Sequence, residues 1–359
     1  MSATIGARSP ATIYSVADLA GVSIASVSRV LQGSANVSEA TRSKVIDAAA
    51  RLNYVPLAAA RGLAVRLHEA HGLILPELSG PYYSELLLGF ESRAAELGQS
   101  VVLLLTQGKA DIGRAVRHLT TRADGVAMLA SSTIPGDVVD SLNSSKPLVM
   151  ISGQPRPGVE TISAESRDSA ACLTTHLMVD HGRRHLLFIG DPDAAPDVRD
   201  RYRGFADAHT ALRRRPRDAV AIAFREAEGT AVGDRLLSGR LRADAVVCAN
   251  DELALSIMAR LKDGGRDVPR DIAVVGWDDV MAARYIRPGL TTARQPVHEL
   301  GSRAAERLRE RISGAPPADS PHVLPTEVVL RASCGCPERP APRHTPSAPD
   351  VLPRKARQS

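Results

Sequence analysis

The chain has 359 residues, which allows two or three domains and an ample core, so size does not limit its stability. Hydrophobic residues make up 44% and charged residues 24%, ordinary for a globular protein, and aromatics are scarce at 3%. No apolar run is long enough to cross a bilayer and the opening MSATIGARSP lacks the apolar core of a signal peptide, so no membrane partner and a cytoplasmic location are expected. The formal net charge of +5 permits nucleic-acid binding. Residues 1–66 carry seven Arg or Lys against three acids, so most of the excess sits at the start of the chain.

The stretch Tyr14 to Leu31, YSVADLAGVSIASVSRVL, reads as two short helices joined by a tight turn. Ser15 can cap the first helix, Asp18 favours its first turn, Gly21 breaks the pattern and Ser23 caps the second helix. Val27, Val30 and Leu31 repeat at helical spacing to form one apolar face, which aims Ala25 and Arg29 away from it. Ile24 lies close to that face and can pack inward. Ser26 and Ser28 could reach phosphates, and Arg29 a phosphate or a guanine edge in a major groove. Spacing alone leaves DNA binding and a solvated helical hairpin both open.

After a polar loop from Gln32 to Val37, Ser38 caps a third helix and Glu39 strengthens its first turn. Val45, Ile46, Ala49 and Leu52 form an apolar stripe that can close a three-helix core over Leu19 and Val30. Arg42 and Lys44, near its start, are candidates for phosphate contact. The ordered run VADLAGVS, ASVSRVL and VSEATRSKVIDAAARLNYVP, from Thr12 through Pro56, resembles the head of LacI-family transcription regulators. The candidate DNA-contacting residues are Ser15, Ser23, Ile24, Ala25, Ser26, Ser28, Arg29, Asn36, Tyr54, Ala60 and Leu63. The last two lie in Ala58 to Leu63, the place of the family's hinge helix, which the resemblance implies folds on operator DNA and inserts its leucine, here Leu63, into the minor groove. Leu57 and Gly62 stand where the family usually carries Asn and a polar residue.

From His71 onward, short and nearly continuous apolar runs alternate with amphipathic helices. The strand candidates are GLILPEL, SVVLLLTQ, ADGVAMLA, KPLVMIS, HLLFIGD, AVAIAF, ADAVVCAN and DIAVVGWDD. Helices are expected over 83–97, 166–180, 201–212 and 251–262. Continuous apolar strands are those of parallel sheets buried on both faces, and their number fits two doubly wound lobes. The family resemblance continues through PYYSELLLGFESRAAELG, RYRGF, ANDELAL, VVGWDD, YIRPGLTTARQP and VLPTEVVLRAS. The fold class expected is therefore a small all-α helix-turn-helix domain (12–56), a hinge segment (57–70) and a two-lobed α/β periplasmic-binding-protein-like domain with parallel sheets (71–333). Its lobe crossings are placed near Ile162, Thr291 and Ala318.

Polar groups at strand ends mark the ligand crevice of such a body. Asn250 and Asp251 end one strand and Asp278 and Asp279 another; Arg201 offers a bidentate donor, and Tyr82, Tyr83 and Trp277 offer flat surface that stacks on sugars or bases. The resemblance carries an effector-binding role to Arg201, Asn250 and Asp278, with Tyr83 at the cleft mouth and Gln295 at a lobe crossing. Ser152 stands where many sugar-responsive relatives hold an aspartate. Asp279 reads as structural. Asn250 and Asp251 could equally serve only to cap the following helix.

No HExxH, GxSxG, GxxxxGK or zinc-spaced Cys/His set occurs, so no catalytic residues and no cofactor are expected. HGRRH at 181–185 reads as a solvated turn. The residues from Cys334 to Ser359 hold six prolines and little apolar content and read as a disordered tail; Cys334, Cys336 and His344 supply only three ligands there, and no metal is expected. These readings converge on a homodimeric regulator, a repressor before an activator, that binds a pseudo-palindromic double-stranded operator under control of a small-molecule effector. A sugar is the first expectation, with a nucleoside or purine effector, or a ligand-independent DNA-binding protein, as alternatives.

Overall fold

The computed structural model describes residues 11–31, 36–54, 68–130 and 134–337. Ala60, Leu63 and the rest of the expected hinge helix lie outside these residues. The chain divides into two compact units, residues 1–70 and 71–359, each with its own core.

Among its described residues the first unit contains three helices: α1 (Ile13–Ala20), α2 (Ile24–Leu31) and α3 (Glu39–Arg51). The cap of α1 is Thr12 and not Ser15. Ser15 sits three residues later, its hydroxyl accepting from the Thr12 N–H at 2.8 Å while Thr12 Oγ1 accepts from the Ser15 N–H at 3.3 Å. Two otherwise orphaned N–H groups are thereby satisfied together. Gly21 ends α1 in the left-handed conformation at φ 66°, where a side chain would be strained. Ser23 and Ser38 accept from the N–H groups of Ser26 and Thr41, as their positions predict.

Val16, Ala17, Val27, Val30, Val45, Ala48 and Ala49 close the small core, with Leu31, Leu52 and Tyr54 packed at its edge. Three expectations fail here. Ile46 is 53% exposed and Leu19 is 48% exposed, so Ala48 takes the place assigned to Ile46 in the stripe. Ile24, 44% exposed, faces outward. The α-helical period admits either choice at the margin of a stripe, and small side chains let three short helices approach closely.

Among its described residues the second unit is built on two main sheets and a two-stranded antiparallel pair. A six-stranded sheet holds β1 (Ala70–Leu75), β2 (Ser100–Leu105), β3 (Gly125–Leu129), β4 (Leu148–Ile151), β5 (Glu160–Ala164) and β10 (His322–Leu324), in the order β10-β5-β4-β3-β1-β2. A three-stranded parallel sheet holds β6 (Leu186–Ile189), β7 (Ala245–Cys248) and β8 (Ala273–Val275), with bridges to Val220 and Thr291 at its two edges. AVAIAF thus contributes only the Val220 bridge, not a full strand.

Helices α4 (Pro81–Glu96), α5 (Ile112–Thr120), α6 (Gly136–Ser145) and α12 (Val297–Ile312) belong to the first lobe. The second carries α7 (Arg167–Val179), α8 (Pro196–Ala211), α9 (Glu226–Leu237), α10 (Asp251–Asp263) and α11 (Met281–Tyr285). Strand residues such as Leu73, Val149, Val246 and Val274 are fully buried, because parallel strands are covered on both faces. Gly89 of α4 and Gly301 of α12 let these helices nearly touch: a Cβ on Gly89 would lie 2.0 Å from the His298 carbonyl oxygen, and one on Gly301 2.2 Å from that of Leu86.

The chain passes between lobes three times. The first passage follows β5 at Glu165, close to the expected Ile162, and the second follows β9 (Thr292–Arg294) at Gln295, close to Thr291. The third lies between β10 and β11 (Glu327–Val329), which pairs antiparallel with β9. Ala318 therefore does not mark a crossing. It precedes β10, whose pairing with β5 keeps it in the first lobe. The expected tail boundary also shifts: a 3-10 turn at Ala332–Cys334 buries Cys334 completely, so residues 334–337 belong to the body.

Candidate effector cleft and DNA-reading head

The cleft forms where the second lobe's strands end at their carboxyl edges and α4 of the first lobe faces them. After β8 the chain turns through Gly276, Trp277, Asp278 and Asp279. The Gly276 and Asp278 N–H groups donate to the carbonyls of Thr291 and Ala293, and the Trp277 carbonyl accepts from Asp251 N–H at 2.7 Å. These bonds hold Asp278 at φ 121° and Asp279 at φ 57°, two consecutive non-glycine residues in a region L side chains rarely adopt. Ser152, at the end of β4, is a third, at φ 55°.

Arg201 lies one turn into α8 and is 5% exposed. Its guanidinium stacks 4.8 Å from the Trp277 ring centroid, donates to the Ala249 carbonyl at 2.5 Å and pairs with Asp197, one turn earlier, at 2.6 Å. Trp277 is itself buried, with Ala170, Leu173 and Ala293 around it. The tryptophan expected to stack on a ligand instead orients the arginine, because the guanidinium occupies the ring face. Arg201 Nε and Trp277 Nε1 are buried donors with no acceptor among the described residues. Such groups cost about 1–3 kcal/mol each until an acceptor arrives.

Gln295 donates to the Asp278 carboxylate at 2.6 Å. Burial pushes the Asp278 carboxyl up to about 8, against the pull of Arg201, and Asp251 adds to the rise. Asp251 is raised to about 6, again mainly by burial, while accepting from Thr292 Oγ1 and the Val280 N–H. Tyr82 and Tyr83 stand edge to face, 5.5 Å apart, on α4. Burial raises both phenols, with Asp197 and Asp278 of the other lobe adding to it, and Tyr83 reaches about 12. Ser152 lies beside the Tyr82 hydroxyl. Tyr82, Tyr83, Ser152, Arg201, Asp278 and Gln295 thus converge on one cleft. Asn250 sits at its edge as the cap of α10, its Oδ1 accepting from the Leu253 N–H at 3.0 Å.

Asp279 is structural, as its reading predicts: its enclosed carboxylate accepts from Arg331 at 2.5 Å and Arg294 at 2.8 Å, with Arg284 at 3.4 Å. Asp197 is the cleft residue the sequence reading missed. Its signal was an acid four residues before Arg201 on one helix face.

In the head, Ile24, Ala25 and Arg29 are exposed on α2, with Ser23 exposed just before it and Asn36 exposed beyond it. Ser26 and Ser28 are half-buried, Ser26 Oγ lying 2.9 Å from Ser23 Oγ. Tyr54 packs against the core and Ser15 is engaged in the α1 cap, so each has a structural role. On α2, Ile24, Ala25 and Arg29 are exposed while Val27 and Val30 are buried in the head core.

Residues 12–56 match the model of the bacterial regulatory proteins of the lacI family, and residues 175–334 match a periplasmic binding protein-like domain. The regulator GalR of Escherichia coli K12 is 32% identical over 345 residues, covering 94% of this chain and 99% of GalR. The chain belongs to the LacI family. The ribose operon repressor of Escherichia coli K12 is 34% identical, over 84% of this chain and 93% of that protein. A lac repressor dimer bound to operator and the anti-inducer ONPF superposes with a TM-score of 0.81 at 26% identity, covering 91% of this chain and 99% of that one. This LacI-family chain is a DNA-binding transcription regulator with an effector-binding body. No helix among its described residues is long and apolar enough to cross a membrane alone; α1 and α2 pass only as a pair bent by 105°, and their apolar faces form the head core.

Proposed function

We propose that this regulator is a homodimeric repressor whose two heads bind a pseudo-palindromic operator, and that a neutral polyol, a sugar or sugar derivative, controls it from the cleft. The observation that carries the ligand class is Arg201, fixed on Trp277 and paired with Asp197, opposite the Asp278–Gln295 pair. A rigid donor fork and a hydrogen-bonded carboxyl suit adjacent hydroxyls, while Tyr82 and Tyr83 supply flat apolar surface. The name of one relative, the ribose operon repressor, agrees with that class. One helix reads few bases, so a dyad-related pair is required for useful selectivity. The ligand must bind one lobe arrangement more tightly than the other, or it shifts nothing.

The test is a thermal-shift screen over monosaccharides, disaccharides and nucleosides, followed by operator binding with and without each hit. A saccharide that raises the melting temperature and alters operator affinity supports the reading. A nucleoside hit alone would reassign the ligand class, and no response to any ligand would favour a constitutive DNA-binding protein.

A further inference from the structure

At the far end of α7, four metal-ligating side chains meet. His176 comes from the last turn of α7, His181 from the turn after it, and Cys334 and Cys336 from the end of the 3-10 turn that follows β11. His176 Nε2 lies 3.1 Å from His181 Nε2, 3.4 Å from Cys334 Sγ and 3.4 Å from Cys336 Sγ, and Cys336 Sγ lies 3.5 Å from His181 Nε2. All four ligand atoms fall within 4.8 Å of one another. A tetrahedron with Zn–N near 2.05 Å and Zn–S near 2.3 Å has edges of roughly 3.3–3.8 Å. Four of the six distances between these donor atoms already stand near that spacing, and the other two are within 4.8 Å.

We propose that His176, His181, Cys334 and Cys336 bind a divalent transition cation of the zinc class in a closed structural site. Two further features fit a metal better than a chance cluster. His176 Nδ1 is 2.6 Å from Asp180 Oδ2, which places the ring proton on Nδ1 and leaves Nε2 as a lone pair, the carboxylate–histidine–metal arrangement. A lone-pair Nε2 with three donor atoms at 3.1–3.4 Å can accept one hydrogen bond at best, whereas a central cation engages all four.

Gly335 between the cysteines has φ 119°, and a Cβ there would lie 2.7 Å from His181 Nδ1, so the Cys-Gly-Cys turn wraps the imidazole only with glycine. Two thiolates and two imidazoles select zinc over magnesium or calcium, and four protein ligands leave no open position for chemistry. The sequence reading missed the site because it paired the cysteines with His344 and took HGRRH for a solvated turn. His181 is half-buried against Cys336, and the two cysteine ligands lie more than 150 residues away in sequence.

The cation would staple the end of the third lobe crossing to α7. Cys334 lies in the second lobe's core, and the segment before it pairs through β11 with β9. With α7 about 20 Å long, the staple sits well away from the crossing at Glu165 and acts on the anchoring of the chain end, not on the ligand.

The experiment uses the full chain purified under reducing conditions without chelator. Metal analysis is expected to return about one zinc per chain, and cobalt replacement to give the visible d–d bands and ultraviolet thiolate charge-transfer band of tetrahedral S2N2 coordination. Cys336→Ser and His181→Gln are expected to lose that spectrum and the bound zinc, while Cys172→Ser, an exposed cysteine outside the cluster, keeps both. Chelation of the wild-type protein is expected to lower its melting temperature by several degrees and make two further thiols reactive, both reversed by zinc, a readout that holds even where a variant fails to fold. Folded, reduced wild-type protein that takes up neither zinc nor cobalt at stoichiometry overturns the site, as do variants that retain the cobalt spectrum or a Cys334–Cys336 disulfide that persists in zinc-loaded protein.

Discussion

The Arg201 guanidinium stacks on the Trp277 ring, 4.8 Å from its centroid, the arginine coming from the helix that follows β6 and the tryptophan from the turn that follows β8 of the same sheet. The Ala249 carbonyl and Asp197 hold the guanidinium edge while the ring supports its face. Together they present a fixed cationic fork at the cleft.

Replacing Arg201 with Ala leaves Asp197 without its partner in a nearly enclosed position, the two side chains being 6% and 17% exposed. Loss of one member of such a pair costs about 3 kcal/mol. Arg201→Lys keeps the charge but not the planar stack, so it is expected to retain most of the stability and still lose at least tenfold in ligand affinity. Urea unfolding and calorimetric titration of both variants separate the two effects. Equal ligand affinity of Arg201→Lys and wild type would remove the arginine from the site.

Asp278 makes the ligand-free protein sensitive to pH. Its carboxyl, near 3.9 in an unfolded chain, is raised to about 8 by burial. The folded state therefore holds a proton that the unfolded chain has released, and this group's contribution to stability falls as pH rises from about 4 to about 8. Asp278→Asn is expected to flatten that slope in thermal melts and to abolish the ligand response while leaving operator binding intact. A ligand hydroxyl that donates to the carboxylate would take up the ionised form, so its affinity is expected to rise between about pH 6 and 8, with proton release in calorimetry.

Buried His71 behaves oppositely. Both ring nitrogens lack a hydrogen-bond partner among the described residues, and burial, helped by Arg309, lowers its pKa from 6.5 to about 4. The folded state favours the neutral ring, so stability is complete above about pH 6.5 and is lost as pH falls through about 4. His71→Leu is expected to flatten this acid limb of the stability profile. An unchanged limb would assign the loss to other groups.

Arg29 is exposed on α2 and is the head's strongest candidate for reading a base or phosphate. Arg29→Ala is expected to weaken operator binding by about 1–3 kcal/mol and to leave ligand binding unchanged. Salt titrations of the two proteins distinguish a phosphate contact, which lowers the slope by about one, from base reading, which relaxes selectivity. Equal loss of both activities would point to misfolding of the chain.

The helix-turn-helix was legible because its signals are local. Ser23, Ser38 and Gly21 act within four residues of themselves, and Val27 and Val30 declare their face by helical period alone. The parallel strands were legible for a similar reason, since burial on both faces leaves runs such as AVVC and LVMI uninterrupted. Local pattern could not separate Ile46 from Ala48, which border the same stripe, and it could not show that β10 still pairs with β5 after Ala318. The short strands β9, β10 and β11 carry no pattern of their own, because each is defined by its partner.

Arg201, Asn250, Asp278 and Asp279 were recognisable as chain positions at the ends of strands. Their division of labour was decided by the folded arrangement: Trp277 turned inward under Arg201, Gln295 on Asp278, and three arginines closed over Asp279. The His176–His181–Cys334–Cys336 cluster lay wholly beyond sequence reading, because a helix end and a turn far apart along the chain meet only once the second lobe has closed. Residue type and period act over one or two turns of backbone, and they named the elements. Burial, charge pairing and ligand geometry depend on distances that exist only after those elements pack, and they made the sites.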